Sequence, residues 1–161
     1  MIRASAWKLF ALALYLPLST GYDLDRWSVT PYRKDKIVWQ EWLEYLRYHE
    51  SRGNPLATSY LGKEHGRGLY QVSEVALEHL KKVHPIRWGG VLPNDLFISH
   101  INAQAAVDYL ELLEAEYFDG DKLKLYKVLS AYGTGPSNTV RHGISWQYVN
   151  GVITQNPYWK P

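Results

Sequence analysis

The sequence contains no cysteine among its 161 residues. This absence excludes disulfide bonds, thiol catalysis, cysteine-ligated zinc and lipid attachment through an N-terminal cysteine. Phenylalanine is also scarce, with 3 residues against 13 tyrosines and 7 tryptophans. Tyrosine and tryptophan carry a polar group on an apolar ring, so this aromatic content suits a wet groove as well as a core.

The apolar run near the start of the sequence, residues 9–18, is too short for a comfortable membrane span. Arg3 and Lys8 precede the run, and the small residues Ser19 and Gly21 follow it. This arrangement is typical of a secretory signal peptide. We therefore expect cleavage after Gly21 and a periplasmic or secreted protein. An uncleaved anchor and a buried first helix are the alternatives.

Basic and acidic residues are nearly balanced in number. The sequence has 18 Lys and Arg against 16 Asp and Glu, a formal net charge of +2. Loss of Arg3 and Lys8 with the signal peptide would leave no net charge. A nucleic-acid partner is therefore not expected, because such partners are held by a basic surface.

Length and composition indicate one domain. A content of 46% hydrophobic and 21% charged residues is ordinary for a globular protein, and 161 residues can bury a sizeable core. We divide the chain into a signal peptide at 1–21, a lead-in segment at 22–35 and a domain at 36–161. The predicted fold class is α+β and predominantly α-helical, with a small irregular or β subregion around residues 54–72.

The first predicted helix begins at Lys36 and ends before Gly53, which tolerates the left-handed conformation of a helix C-terminus. Glu50 then falls in the last turn of this helix. A carboxylate there opposes the negative end of the helix dipole. A residue placed against its local preference suggests a functional role.

The rest of the chain is predicted to be mostly helical. Residues 54–72 have little helical periodicity and read as irregular, with a short β-hairpin, and Ser73 is the expected N-cap of the next helix. The later elements are, in order, a loop at 84–95, a helical stretch that starts at Asn94 or Asp95 and ends near Gly120, a helix at 122–132 that stops at Gly133, and a segment at 145–153 that fits a helix or a strand.

Common catalytic and metal-binding signatures are absent. Residues 49–53 begin like the zinc-protease motif H-E-x-x-H, but Gly53 stands where the second histidine must be. Residues 66–68 lack the lysine and spacing of a phosphate-binding loop, and there is no G-x-S-x-G nucleophile turn. We therefore expect no metal and no cofactor, and Glu50 is the remaining candidate for chemistry.

Four segments resemble, in order, the motif series of the soluble lytic transglycosylases, lysozyme-like enzymes that cleave peptidoglycan. That family has a catalytic Glu-Ser followed by Asn-Pro, then Gly-Leu-Met-Gln, an Asn-x-x-x-Gly-x-x-Tyr-Leu helix and Ala-Tyr-Asn-Ala-Gly-Pro. The resemblance extends over residues 39–152 and implies a lysozyme-like fold. The four segments are ESRGNPLATS (50–59), GRGLYQVS (66–73), INAQAAVDYL (101–110) and VLSAYGTGPSNTV (128–140).

The resemblance implies a role for each matching position. Glu50 matches the single catalytic acid and base, and Ser51 matches the serine that helps to fix the helix end. Ser59 matches a serine that contacts substrate near the cleavage point. Gln71 matches the glutamine that reaches into the glycan cleft. Tyr132 matches the tyrosine whose hydroxyl lies close to the acid.

The chain departs from the family pattern at several positions. The segment LGKEH at 61–65 also makes the loop between Ser59 and Gln71 longer than the pattern has it. These changes bear on glycan recognition more than on the chemistry. The substitutions are Tyr70 for Met, Ala105 for Gly, Gly133 for Asn and Thr134 for Ala.

Glycosidases usually need two carboxylates, and the motifs offer no second acid near Glu50. In the family, the N-acetyl group of muramic acid assists and the sugar's own C6 hydroxyl attacks, so one acid suffices and a 1,6-anhydro sugar forms. We expect burial among Leu69, Tyr70 and Tyr132 to raise the pKa of Glu50. Hydrolysis, as in a true lysozyme, and a glycan-binding or assembly protein without turnover are the alternatives.

The resemblance is to the small family members that accompany secretion, conjugation or pilus machines. It implies a monomer that opens peptidoglycan locally for an envelope-spanning machine. A phage-borne enzyme or a general wall-recycling enzyme is the alternative.

Overall fold

Seven α-helices and a three-stranded antiparallel sheet make up the described part of the chain, residues 37–61 and 64–155 of a computed structural model. The α+β, predominantly helical class is thereby confirmed. All described residues belong to one unit of the chain, Pro31–Pro161. The predicted signal peptide at 1–21 and the lead-in segment at 22–35 lie outside the described residues and stay predictions.

The helices and strands follow one another with short connections. Short 3-10 turns at Trp39–Trp42 and Pro93–Phe97 and a π-helical turn at Glu114–Phe118 complete the structure. None of the helices in the described ranges is long and apolar enough to cross a bilayer. The main elements are α1 Leu43–Ser51, β1 Thr58–Leu61, β2 Glu64–Arg67, β3 Val72–Ser73, α2 Glu74–Val83, α3 Pro85–Trp88, α4 Ser99–Leu113, α5 Lys124–Thr134, α6 Pro136–His142 and α7 Trp146–Ile153.

Helix α4 forms the centre of the core. Its buried residues lie on all sides of the helix, which is the pattern of a helix surrounded by others. Two buried tryptophans bind the carboxylates of this region: Trp88 donates from Nε1 to Asp108 at 2.9 Å, and Trp39 to Glu114 at 2.8 Å. These bonds satisfy polar groups that would be costly to bury alone. They also tie α3 to α4, and the 3-10 turn at Trp39–Trp42 to the π-helical turn that follows α4.

The β-hairpin predicted within residues 54–72 is present. Strand β2 is the middle strand, paired with β1 and β3, with Ser59 opposite Gly66. Ser73 caps α2 as expected, because its hydroxyl accepts a hydrogen bond from the Ala76 amide at 3.1 Å. The hairpin therefore leads directly into a helix with a fixed start.

Three boundaries differ from the sequence prediction, and one open alternative is decided. The first helix begins at the 3-10 turn from Trp39 rather than at Lys36. The predicted loop at 84–95 contains α3, because Pro85 stands at a first helical position where its fixed φ is suitable. Helix α5 continues through Gly133 to Thr134, and α6 follows at once. The undecided segment at 145–153 is helical and forms α7.

Candidate active site

A cleft of about 1010 Å³ opens between the β-hairpin, the start of α2, the junction of α5 with α6, and α7. Its size is at the upper end of small-ligand pockets. Glu50 lies in the wall of the cleft, together with Ser59, Gln71 and Tyr132. All four segments that carry the motif series thus contribute to one concave surface, the third of them through Tyr109.

Glu50 is in the last turn of α1, as predicted, and is largely buried. Burial raises the pKa of its carboxyl to about 7, from an ordinary value of 4.5, because a charged carboxylate is poorly solvated there. A hydrogen bond from Tyr148 acts in the opposite direction and lowers the pKa. The carboxyl can thus be protonated near neutral pH and still ionise.

Ser51 and the two residues after it end α1. The Ser51 hydroxyl donates to the Arg47 carbonyl at 3.2 Å and accepts from the Gly53 amide at 3.1 Å. Gly53 has a φ of 81°, and Arg52 before it has a φ of 55°, so the left-handed C-terminus expected at the glycine already begins at an arginine. These bonds fix the backbone turn immediately after Glu50.

Tyr132 lies near Glu50 but donates its hydroxyl proton elsewhere. The hydroxyl binds the backbone carbonyl of Tyr70 at 2.7 Å. Burial first, and then the nearby charge of Glu50, raise the pKa of Tyr132 well above its ordinary value. Tyr132 therefore stays neutral and holds the turn between β2 and β3 against α5.

Tyr148 is the tyrosine that binds the acid, and it is not among the site residues predicted from the sequence. Its hydroxyl donates a hydrogen bond to Oε1 of Glu50. Burial, followed by the charge of Glu50, raises the pKa of Tyr148 well above its ordinary value, so it remains a donor. Residues 145–153 carry no local signal for this role, because only the packing of α7 against α1 brings the two side chains together.

Ser59 and Gln71 both line the cleft, yet the amide nitrogen of Gln71 is held by the protein. It donates to the carbonyls of Gly68 at 2.8 Å and Ala57 at 3.0 Å. Gln71 also has a φ of 49°, a conformation that is uncommon for a residue with a side chain. Such a residue persists where the surroundings fix it, often at a functional site.

Asn102 explains how the turn before Gln71 is held. Its side chain is fully buried; it accepts from the Tyr70 amide at 2.7 Å and donates to the Arg67 carbonyl at 2.9 Å. Gly68 has a φ of 74°, and a Cβ there would lie 2.8 Å from Cγ of Asn102. Only glycine suits this position. The asparagine of the third motif thus fixes the backbone of the second.

Glu50 is the only acidic residue that lines the cleft among the residues whose side chains are described. His79 also lines it, with Nε2 3.1 Å from Oε2 of Glu116. Within the described ranges, no group of three or more His, Asp or Glu could hold a metal ion. The cleft thus presents one protonatable carboxyl among tyrosines, small residues and hydroxyl groups.

A protein-family model described as the transglycosylase SLT domain matches residues 30–147. No curated protein and no solved structure matches the chain.

Proposed function

The chain belongs to the transglycosylase SLT domain family, whose members are lytic transglycosylases of peptidoglycan, and we propose that Glu50 is its single acid and base. The bond cleaved is the β-1,4 bond between N-acetylmuramic acid and N-acetylglucosamine. The product carries a 1,6-anhydromuramic end. The lysozyme-like α+β fold of the family accommodates the observed helices and small sheet.

One observation carries this proposal: a carboxyl with a pKa of about 7 lines a cleft in which no second described side chain is acidic. Hydrolysis by the usual two routes needs a second carboxylate, about 5 to 10 Å from the first, as nucleophile or base. A reaction in which the substrate supplies its own nucleophile needs only one group that donates and then accepts a proton.

In the first step, protonated Glu50 donates its proton to the glycosidic oxygen. The bond between that oxygen and C1 of the muramic acid breaks, and the N-acetylglucosamine side leaves with a free hydroxyl. The carbonyl oxygen of the muramic acid's own N-acetyl group stabilises the positive charge at C1. Positioned proton transfer of this kind contributes about 10² to 10⁴ in rate.

In the second step, Glu50 is a carboxylate and accepts the proton of the C6 hydroxyl. The C6 oxygen attacks C1 and closes the 1,6-anhydro ring, so no water is consumed and Glu50 regains its proton. Both steps need a carboxyl whose pKa lies close to the working pH. At pH 7, about half of the Glu50 side chains would be protonated.

Tyr148 supports the second step more than the first. Its hydroxyl donates to Oε1 of Glu50, and a donor stabilises the carboxylate relative to the acid. The other oxygen, Oε2, is then the one that exchanges the proton with substrate. The bond also limits the rotation of the carboxyl, which keeps that oxygen in one direction.

We further propose that the enzyme acts in the periplasm or outside the cell, after export directed by residues 1–21. The mature domain then opens peptidoglycan locally as a monomer for an envelope-spanning secretion, conjugation or pilus machine. The basis is the charge and apolar pattern of residues 1–21 and the resemblance to small transglycosylases of such systems.

The test is product analysis with the purified protein and its Glu50→Gln variant. Each is incubated with peptidoglycan, and the soluble products are identified by mass spectrometry. Anhydromuropeptides from the wild type alone are the expected result. Products heavier by one water molecule, with reducing ends, would mean hydrolysis. Glycan binding by both proteins without any products would identify a binding protein instead.

A further inference from the structure

Gly133 stands where the family pattern has asparagine, and the space its side chain would occupy is already filled. A Cβ built on Gly133 would overlap three ring carbons of Tyr148: Cδ2, Cε2 and Cζ. Gly133 lies inside α5 without a positive φ, so its backbone does not need glycine. The reason for glycine is therefore the close approach of the Tyr148 ring to the helix backbone.

A second glycine, Gly151, is used in the same way next to His49, which contacts the Tyr148 ring. His49 packs edge-on against the Tyr148 ring, with ring centroids 4.8 Å apart at an angle of 83°. A Cβ built on Gly151 would overlap the His49 ring, and the Gly151 backbone also hydrogen-bonds this histidine. The close contacts therefore run from Gly133 to Tyr148, from Tyr148 to His49 and from His49 to Gly151.

We propose that Gly133 is a positioning residue for the reaction. Because Gly133 has no side chain, the Tyr148 ring can pack directly against α5. This packing holds the Tyr148 hydroxyl at Oε1 of Glu50. His49, placed against Gly151, packs edge-on against the same ring. The inference rests on the proposed role of Glu50 as acid and base. It gives the Asn-to-Gly departure a function in this chain.

The surroundings make Tyr148 the group through which Gly133 would act. The titratable groups that interact with Tyr148 are Glu50, Tyr132 and His49. Tyr132 donates its proton to the Tyr70 carbonyl, and burial lowers the pKa of His49 so that it is neutral at pH 7. Loss of the Tyr148 contact would therefore remove a donor from Glu50 and raise the pKa of the carboxyl.

The test compares Gly133→Ala, Tyr148→Phe and the double variant in the full chain. The Glu50 carboxyl is titrated by carbon-13 NMR and assigned with Glu50→Gln. Gly133→Ala should raise the pKa of Glu50 in the same direction as Tyr148→Phe. In the double variant, Gly133→Ala should cause no further change in the pKa of Glu50, because the Tyr148 hydroxyl is already absent. Peptidoglycan cleavage by Gly133→Ala should fall about tenfold, as expected for Tyr148→Phe.

A second readout separates positioning from loss of folding. Alanine is a better helix former than glycine, so Gly133→Ala should raise the melting temperature when Tyr148 is also alanine. With Tyr148 intact, the same change should lower it. Gly90→Ala is the matched control, because a Cβ there has no atom within 4 Å, and it should change neither the pKa of Glu50 nor cleavage.

Three results would overturn the proposal: an unchanged or lowered pKa of Glu50 in Gly133→Ala, pKa changes that add in the double variant, or an equal fall in melting temperature with and without Tyr148. If Gly133→Ala fails to fold both with Tyr148 intact and with Tyr148→Ala, this also overturns the proposal, because the effect would not depend on Tyr148. The titration needs no peptidoglycan. Failure of the proposed function, seen as no cleavage by the wild type, is therefore distinguishable from failure of this inference.

Discussion

The hydroxyl of Tyr148 donates a hydrogen bond to Oε1 of Glu50, and the two residues are 98 positions apart in the sequence. The bond stabilises the carboxylate, whereas burial stabilises the protonated acid. The pKa of about 7 is the balance of these two effects. The pKa of an acid at the end of α1 is therefore set in part by a residue of α7.

Tyr148→Phe should raise the pKa of Glu50, because a donor to the carboxylate is lost and burial remains. The protonated acid then persists to higher pH, so the alkaline limb of the pH–rate profile for peptidoglycan cleavage should move upward. The rate itself should fall about tenfold through poorer orientation.

Tyr132→Phe is the matched control for that profile. The Tyr132 hydroxyl donates to the Tyr70 carbonyl, so its loss should leave the alkaline limb in place. It should lower the free energy of unfolding by about 1 kcal/mol. A profile that moves with Tyr132→Phe and stays with Tyr148→Phe would reverse the roles given to the two tyrosines.

Glu50→Gln should make the protein more stable above neutral pH. The folded-state pKa of Glu50 is raised from 4.5 to about 7, so the folded protein binds more protons than the unfolded chain between these values. The free energy of unfolding of the wild type therefore falls as pH rises through this window. Glutamine removes the effect, worth up to about 3 kcal/mol.

Urea denaturation of both proteins at pH 4 and pH 8 measures this difference. The gap in unfolding free energy between Glu50→Gln and the wild type should be wider at pH 8. A gap that does not change with pH would mean that the Glu50 carboxyl has its ordinary pKa in the folded protein.

Asn102→Ala should destabilise the turn that carries Gln71. The buried side chain of Asn102 satisfies the Tyr70 amide and the Arg67 carbonyl, and both backbone groups would lose their partner. The free energy of unfolding should fall by about 2 to 4 kcal/mol. The Tyr70 amide should also exchange faster with solvent hydrogen. Asn94→Ala, at an exposed position, is the control and should have little effect on either measurement.

Tyr60→Ala should weaken glycan binding without changing the chemistry. Tyr60 is 72% exposed, packs edge-on against His65 with centroids 4.7 Å apart, and lines the cleft. An aromatic ring held in this way can contact the apolar face of a sugar. KM should rise roughly fivefold, for about 1 kcal/mol of binding, with kcat unchanged.

Leu56→Ala provides the comparison, because Leu56 is equally exposed at 72% but is not part of the cleft wall. Kinetics with soluble glycan strands of defined length give both constants. Equal KM values for Tyr60→Ala and the wild type would exclude Tyr60 from binding.

Residues with local signals were predicted from the sequence. The end of α1 near Gly53, the hairpin within 54–72 and the Ser73 cap each follow from neighbouring residues, and all three are present. The place of Glu50 in the last turn is confirmed for the same reason. The resemblance also named Ser59, Gln71 and Tyr132 as site residues, and all three line one cleft with Glu50.

The features that the sequence did not reveal depend on packing between distant elements. Gly133 was expected to end a helix, since glycine commonly does so, but α5 continues through it to Thr134, and the Tyr148 ring lies where a Cβ on Gly133 would be. The contact of Tyr148 with Glu50 depends on α7, whose nine-residue segment fitted a helix or a strand equally well. No property of residues 145–153 alone distinguishes Tyr148 from a core aromatic.

The position of Tyr148 on α7 has a consequence for timing. Helix α7 is the last helix in the described residues, while Glu50 belongs to the first. A chain still leaving the ribosome, or cut short before residue 146, holds the acid without the hydroxyl that orients it. Full activity would therefore be reached only after α7 has packed against α1, well after the acid itself has been synthesised.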